Sequence, residues 1–359
     1  AHRILANKAT GSKPELLYNG IQLPSPWPPP FRDPRSSEPM EVPYLKARDE
    51  RTGPQLAGFR PKTILIDVGR QLFVDDFLVE QTTLVRTFHK ARKFENNPVF
   101  KPETPAELAP STEGERGEEA TVFTGQGGIF YDPADKLFKL FHVAGWRGAL
   151  SVVTSPDMVH WNRPDLGSGN GNQLLPRGLE WKGQRLVSGG SDNCVWLDLN
   201  ATNPAERLKY LTCWLHVPKA LRPSGFHHSL HVSDGKTWSD GVTTGIAADD
   251  YCSFFYNPFR KKWCFSIKRG TVRGRSRYYY ESDDFLKGAA WDRSVYWTAS
   301  DRMDLPEPAG GYPGAGDAPQ LYSLNAVAYE SLMVGMHYIH RGPKNEVCDA
   351  GKFPKLVDL

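Results

Sequence analysis

Residues 254–267 read FFYNPFRKKWCFSI, and residues 129–142 read IFYDPADKLFKLFH. Aligned on Tyr-Asx-Pro, the two share one plan: apolar or aromatic residues, Asp or Asn followed by Pro, a short charged turn, then a second run rich in aromatics. Asx-Pro between two apolar runs predicts a hairpin, because the Asx side chain closes on its own backbone and Pro fixes φ.

Outward from these hairpins the chain repeats itself. One unit runs TVFTGQGGIFYDPADKLFKLFHVAG, then ALSVVTSPDMVHW; the next runs DNCVWLDLNATNPAERLKYLTCWLHV, then HHSLHVSDGKTW. A third runs DDYCSFFYNPFRKKWCFSIKRG, then RSRYYYESDDFLKGAAW, and a fourth opens as LNAVAYESLMVGMHYIHRG. Each full unit predicts two strands about an Asx or Pro turn, a linker, a third strand, and a polar turn ending in Trp that caps the packing. Units of roughly 55–75 residues built from short antiparallel strands are the sequence form of a β-propeller blade. The fold class is therefore all-β, a β-propeller over 63–359. Helical patterning is scarce, with one short turn expected in SDDFLKGAAW, which excludes a doubly wound α/β fold.

Residues 1–62 carry many prolines and no sustained period, and read as an extended arm. TILIDVGRQLFVDDFLVEQ (63–81) alternates and predicts a strand pair, and KPETPAELAPSTEGERGEE (101–119) reads as a polar loop. The fourth unit never reaches its polar turn and Trp, so the propeller is expected to be incomplete here and to continue beyond Leu359. The chain begins Ala1-His2-Arg3 with no signal-peptide core, so a removed leader or a trimmed chain is expected.

Of the 359 residues, 24% are charged and the formal net charge is only +3, with no long Lys/Arg block; nucleic acid is excluded as a partner. No run of 18 apolar residues occurs, so no helical membrane span is expected. Aromatics make up 12%, with ten Trp, which fits packed sheets, a carbohydrate surface, or both. The five cysteines show no CxxC or Cys/His spacing, so neither zinc nor any other cofactor is expected, and disulfides stay open.

IDVGRQLFVDDFLVEQTTLVRTFH, FYDPADKLFKLF, FFYNPFRKKWCFSIKRG and LNAVAYESLMVG together resemble a five-bladed β-propeller glycoside hydrolase of a bacterial branch, common in planctomycetes, related to the family 32 and family 43 glycosidases. The resemblance covers most of 64–341. It implies a propeller, a carbohydrate substrate and a secreted or periplasmic protein. Within the repeats, neither a WMNDPNG-like start, nor Arg-Asp-Pro, nor Glu-Cys-Pro occurs, so activity is less well specified than architecture.

Cleaving a glycosidic bond needs two carboxyl groups across the bond, one protonated and one ionised. In a propeller the loops leading into each blade converge on the channel mouth. The acids of those loops are Glu118 and Glu119, Asp192, Asp249 and Asp250, and Asp317, with Glu330 in the following hairpin. Glu119, Asp192, Asp250 and Asp317 are the catalytic candidates; the alternative use of each is to cap a turn. Asp75 and Asp76 point to opposite faces of a strand, so one could face the channel.

IKRGTVRGRSR (267–277) brings Lys268, Arg269, Arg273, Arg275 and Arg277 together, and Arg forks suit carboxylate or sulfate groups. An acidic or sulfated glycan is the substrate class this favours, with Arg275, Arg277, Trp146, Tyr322 and Asn325 as binding candidates. Trp181 and Trp214 are further candidates for a sugar floor. His142, His216 and His337 end equivalent second strands and read as packing or rim contacts, not metal ligands. Two other readings stand beside the glycosidase: a propeller that binds a glycan or a protein without cleaving it, and a sialidase-like enzyme with Tyr322 as nucleophile. SDGKTW lacks the full spacing of a sialidase Asp-box, which weighs against the last.

Overall fold

The computed structural model describes residues 15–17, 23, 33–38, 63–64, 66, 70–74, 76, 78–108, 120–145, 148–176, 180–181, 184–185, 194–214, 227–307, 311–351 and 353–358. The chain divides into two compact units, a first of 1–90, 255–283 and 294–359 and a second of 91–254 and 284–293.

The second unit holds two meander sheets. In the first sheet, β1 (Val122–Phe123) and β2 (Ile129–Asp132) share one side of β3 (Leu137–Ala144), followed by β4 (Ala149–Ser155) and β5 (Gln173–Leu175). After a small hairpin of β6 (Glu180–Trp181) and β7 (Gln184–Arg185), the second sheet runs β8 (Cys194–Leu197), β9 (Leu208–Trp214), β10 (His227–Ser233) and β11 (Val242–Thr243). The first unit carries the third sheet, β12 (Ser253–Asn257), β13 (Lys262–Thr271), β14 (Gly274–Ser282) and β15 (Val295–Ala299), although β12 begins in the second unit. It also carries the fourth, β16 (Gln320–Tyr329), β17 (Leu332–His340) and β18 (Val357–Asp358). Sequential strands pair antiparallel, as in Asp132↔Leu137 and Trp263↔Ser282. The described helices are short: α1 (Pro105–Leu108), α2 (Asn345–Gly351) and 3₁₀ turns that include Leu286–Ala289 in the SDDFLKGAAW stretch. No helix among the described residues is long and apolar enough to cross a membrane.

The two opening stretches form β2–β3 and β12–β13, in different sheets, and their turns are built alike. Asp132 Oδ1 accepts the Ala134 N–H at 3.0 Å, and Asn257 Oδ1 accepts the N–H groups of Phe259 and Arg260 at 3.1 and 3.2 Å. Four residues after the Asx, Lys136 and Lys261 adopt φ of 60° and 53°, the left-handed step that returns each chain into its second strand. The polar turns after β4 and β10 match in the same way. Asp157 Oδ1 accepts the N–H groups of Val159 and His160, and Asp234 Oδ1 those of Lys236 and Thr237, all at 2.7–2.9 Å.

In the second unit, Phe141, Leu150, Val152 and Leu175 of the first sheet form one buried cluster with Val195, Leu197, Leu208 and Tyr210 of the second. Trp238, at the end of the second polar turn, seals it. Its ring lies 5.4 Å from that of Tyr210, and its Nε1 donates to the Leu174 carbonyl at 3.1 Å. Trp161, its counterpart, packs instead on Phe100, at 6.2 Å.

Three expectations change. Over 63–81 the described residues make bends and turns, with no strand; the Val79 N–H closes on the Asp76 carbonyl at 3.1 Å. Alternation gives a strand two faces but does not supply the neighbour it must pair with. The 101–119 loop contains α1, with Glu107 buried. The question of disulfides is closed: all five cysteines are free and buried. Of the arm, Glu15 accepts from Arg260 Nε and Nη2 at 3.0 and 2.9 Å, and Glu38 from Arg302 Nε at 2.9 Å, all within the first unit.

Candidate functional site

Side chains on a strand alternate, so residues at positions two apart share a face. On β14 that sets Arg275 beside Arg277, and the register Lys268↔Arg277 and Gly270↔Arg275 adds Lys268 of β13 to the same face. This face meets β16 at Tyr322. The pairing of β16 with β17 shifts between Leu321 and Ser323, so Tyr322 stands at a bulge. Bulges re-aim side chains and recur beside functional sites.

Three groups converge on the Tyr322 ring. Lys268 Nζ lies 4.6 Å from its centroid and the Arg275 guanidinium carbon 5.5 Å away. The His340 imidazole, on β17, lies 5.7 Å away. Cations over an aromatic face are attracted by its quadrupole. Arg277, fully buried, donates from Nη2 to the Tyr322 carbonyl and so holds the bulge in place.

Arg275 is only half-buried. Its Nη1 donates to Gln320 Oε1 at 2.9 Å and its Nη2 to Asn345 Oδ1 at 3.3 Å, both neutral amide oxygens. The Arg275 N–H also reaches Gln320 Oε1, at 3.1 Å. Gly274 makes this close approach feasible: its φ is +79°, and a Cβ there would stand 2.5 Å from Gln320 Oε1. Beneath, Lys268 is 2% exposed and His340 1%. His340 Nδ1 accepts the Gly342 N–H at 3.2 Å, which leaves the proton of the neutral ring on Nε2. Nε2 is buried and has no hydrogen-bond partner among the described residues. Burial first, then the charges of Arg275, Lys355 and Lys268, lower the His340 pKa to about 4.

A second charged cluster stands in the second unit. Glu107, 0% exposed, accepts from Arg163 Nε and Nη2 at 2.8 and 2.9 Å and from the N–H groups of Glu103 and Thr104 at 2.8 and 3.0 Å. His142 Nε2 lies 3.3 Å from Glu107 Oε1, the oxygen that also accepts from Arg163 Nε. Burial alone would raise the Glu107 pKa, but the hydrogen bonds from His142, Arg163 and the backbone outweigh it and hold the carboxyl well below the usual range. The cluster pins the 101–108 segment to β3, and nothing in the sequence reading singled out Glu107. Its signal was Thr104-Pro-Ala-Glu107, a capping box: Glu107 takes the Thr104 N–H, and Thr104 Oγ1 takes the Glu107 N–H at 3.3 Å.

The sequence candidates fall as follows. Glu119, Asp192 and Trp146 lie outside the described residues, as do Glu118, Asp75 and His216 and the side chains of Trp181 and Trp214. Asp250 is half-buried in the loop before β12, in the second unit, beside Tyr251 at φ 61°. Asp317 is exposed in the loop before β16, in the first unit. Glu330 sits at the β16–β17 turn, 3.6 Å from Arg70, and Asp76 pairs with Arg86 at 3.0 Å. Arg275, Arg277 and Tyr322 come together, with Lys268 and His340; Asn325 lies further along β16, opposite Met336. Arg273 turns away to the Ser300 carbonyl at 2.8 Å, and His337 is exposed. An Arg-Asp-Pro does occur ahead of the repeats, at 32–34, where Asp33 bonds Arg35 in an exposed local turn.

No family model matches the chain, and no curated protein matches it. Solved structures that resemble it include a family-43 glycoside hydrolase retrieved from a capybara gut metagenome, at 11% identity and a TM-score of 0.30 over 62% of this chain. A β-fructofuranosidase from Schwanniomyces occidentalis aligns at 13% identity and a TM-score of 0.35 over 64% of this chain. A putative exo-β-1,3-galactanase from Bifidobacterium bifidum is also 13% identical, with a TM-score of 0.32 over 63%. The chain spans 38%, 41% and 64% of their lengths. The overlaps are too loose for a residue of any of them to be carried onto this chain.

Proposed function

We propose that the four meander sheets are blades of a five-bladed β-propeller and that the protein is a glycoside hydrolase acting on a polysaccharide or oligosaccharide. One observation carries this reading: the same turn chemistry recurs at the same place in different sheets, the first hairpin turn in the first and third and the later polar turn in the first and second. Asp132 with Lys136 and Asn257 with Lys261 build the first hairpin turn, and Asp157 and Asp234 the later one. Repetition of one four-strand unit is how a propeller is made, and a propeller gathers the loops leading into its blades around one mouth.

In this reading Asp250 and Asp317, together with Asp192 and Glu119, supply the pair of carboxyl groups. One donates a proton to the leaving oxygen while the other, ionised, activates water or attacks the sugar. Carboxyls about 6.5–9.5 Å apart would give inversion and about 5–5.5 Å retention. A secreted or periplasmic setting belongs to the same proposal. The test is a glycan-library hydrolysis screen followed by Asp250→Asn and Asp317→Asn. Acid–base groups supply about 10²–10⁴-fold, so a substrate cleaved within about threefold of the wild-type rate by both variants removes this pair from the reaction.

A second reading, a propeller that binds a glycan without cleaving it, is favoured by a separate observation. Among the described residues, the carboxyls whose pKa is shifted, Asp33, Glu107, Asp132, Asp157 and Asp234, are all shifted downward, the direction opposite to that of a proton donor. Saccharide binding with no turnover across the library would select it.

A further inference from the structure

We propose that Arg275 and His340, set with Lys268 around Tyr322, form a binding site for a single oxyanion, the carboxylate or sulfate of an acidic saccharide. The saccharide part rests on the carbohydrate reading above; the oxyanion part does not.

The chemistry follows from which partners the cations have. A guanidinium carries five N–H donors in a fixed fork that matches an oxyanion. The side chain of Arg275 uses Nη1 on Gln320 and Nη2 on Asn345, and both acceptors are uncharged. Its remaining donors can meet a ligand, because the residue and Tyr322 beside it are partly open to solvent. Lys268 Nζ lies 4.6 Å from the centroid of the same ring, on a side chain that is almost wholly buried.

His340 gives the independent observation. Its Nδ1 is committed to the Gly342 N–H, so the ring presents Nε2–H, a buried donor without an acceptor among the described residues. A buried polar atom of this kind is costly unless something completes it. An oxyanion would accept that hydrogen bond and offset the positive charge that Arg275, Lys355 and Lys268 place on the ring. The bulge that Arg277 braces sets the direction of Tyr322, the ring around which these groups gather.

The test uses the whole chain and four probes: glucuronic acid, glucose 6-sulfate, inorganic sulfate and glucose. Binding is measured by calorimetry and by the ring ¹⁵N signals of His340. The two acidic sugars are expected to bind and to move the His340 titration upward from about 4, while glucose does neither. Whichever acidic sugar binds more tightly identifies the anion. Arg275→Ala should weaken binding about tenfold or more, the range of a charge-assisted hydrogen bond, and Arg275→Lys should recover only part of it. Raised salt should weaken it as well. Binding of inorganic sulfate alone, with neither acidic sugar moving the His340 signals, would overturn the saccharide assignment. Glucose binding as tightly as the acidic sugars, or an Arg275→Ala protein with unchanged affinity, would overturn the site itself. If Arg275→Ala fails to fold, the wild-type ¹⁵N titration still decides. Failure of the hydrolysis screen leaves these outcomes unaffected, so the two readings fail separately.

Discussion

The two units each carry an arginine and a buried histidine side by side, and the two pairs are finished differently. Around Glu107, Arg163 is closed on the protein's own acceptors: Nε and Nη2 on Glu107, Nη1 on Glu103 and Nη2 also on the Lys101 carbonyl, while two backbone N–H groups and His142 Nε2 meet Glu107 as well. Around Tyr322, Arg275 ends on two neutral amide oxygens and an aromatic face, and His340 points a donor at nothing described. In the first arrangement the arginine is neutralised by carboxylates of the protein itself, although His142 Nδ1 has no hydrogen-bond partner among the described residues. The second holds positive charge ready for an acceptor from outside. An arginine paired with buried carboxylates resists change, whereas one whose side chain ends on neutral amides, as Arg275 does, is where binding energy can be gained.

The largest effect that would sharpen this contrast comes from breaking the clasp. Glu107→Ala would leave the N–H groups of Glu103 and Thr104 without their acceptor and Arg163 with only Glu103 and the Lys101 carbonyl, and should cost about 3–5 kcal/mol in urea unfolding, the range for removing one partner of a buried pair. A loss below about 1 kcal/mol would mean that water replaces the carboxylate and that the cluster is not closed.

The pH dependence of stability separates the clusters next. The depressed pKa of Glu107 gives a contribution that is present above the unfolded carboxylate value near pH 4.3 and is lost as pH falls through the lower folded value. His340 is depressed to about 4 from an unfolded value near 6.5, so the unfolded chain takes up its proton first. Stability should therefore fall between about pH 6.5 and 4 by roughly 2–3 kcal/mol from this residue, and His340→Gln should flatten that slope. An unchanged slope in the variant would show that neither burial nor the cations around it depress His340.

The smallest effect tests the support of the open cluster. Gly274 and Gly167 both have left-handed backbones, at φ +79° and +77°, but a Cβ on Gly274 would meet Gln320 Oε1 while one on Gly167 would meet nothing within 4 Å. Gly167→Ala should cost about 1 kcal/mol from conformation alone, and Gly274→Ala measurably more, with loss of the Gln320–Arg275 contact. Equal costs would show that Gln320 moves aside freely and does not position Arg275.

Much of the architecture is written in local chemistry, and that is why it could be read. Asp132, Asn257, Asp157 and Asp234 each bond the backbone within three residues, so sequence spacing is enough to find their turns. The stretch 63–81 misled because its alternation says nothing of a partner strand. Glu107 was hidden in a polar stretch because Arg163 reaches it across 56 positions, a distance no spacing rule covers. For the candidate site, Arg275 and Arg277 were legible as a cluster because they are neighbours on one strand. Lys268 joins them through the β13–β14 register and His340 through the β16–β17 pairing, and both depend on how strands align.

The central claim is that one arginine cluster is closed and the other open. The most direct measurement is urea unfolding of Arg163→Ala and Arg275→Ala, each with and without glucuronic acid. A ligand that binds only the folded state at a hundredfold excess over its Kd adds about 2.7 kcal/mol. The account predicts that Arg163→Ala is destabilised by several kcal/mol yet still gains stability from glucuronic acid, whereas Arg275→Ala loses about 1 kcal/mol or less and gains nothing from the ligand. The reverse pattern, with Arg275→Ala the more destabilised protein and still responsive to glucuronic acid, would contradict it.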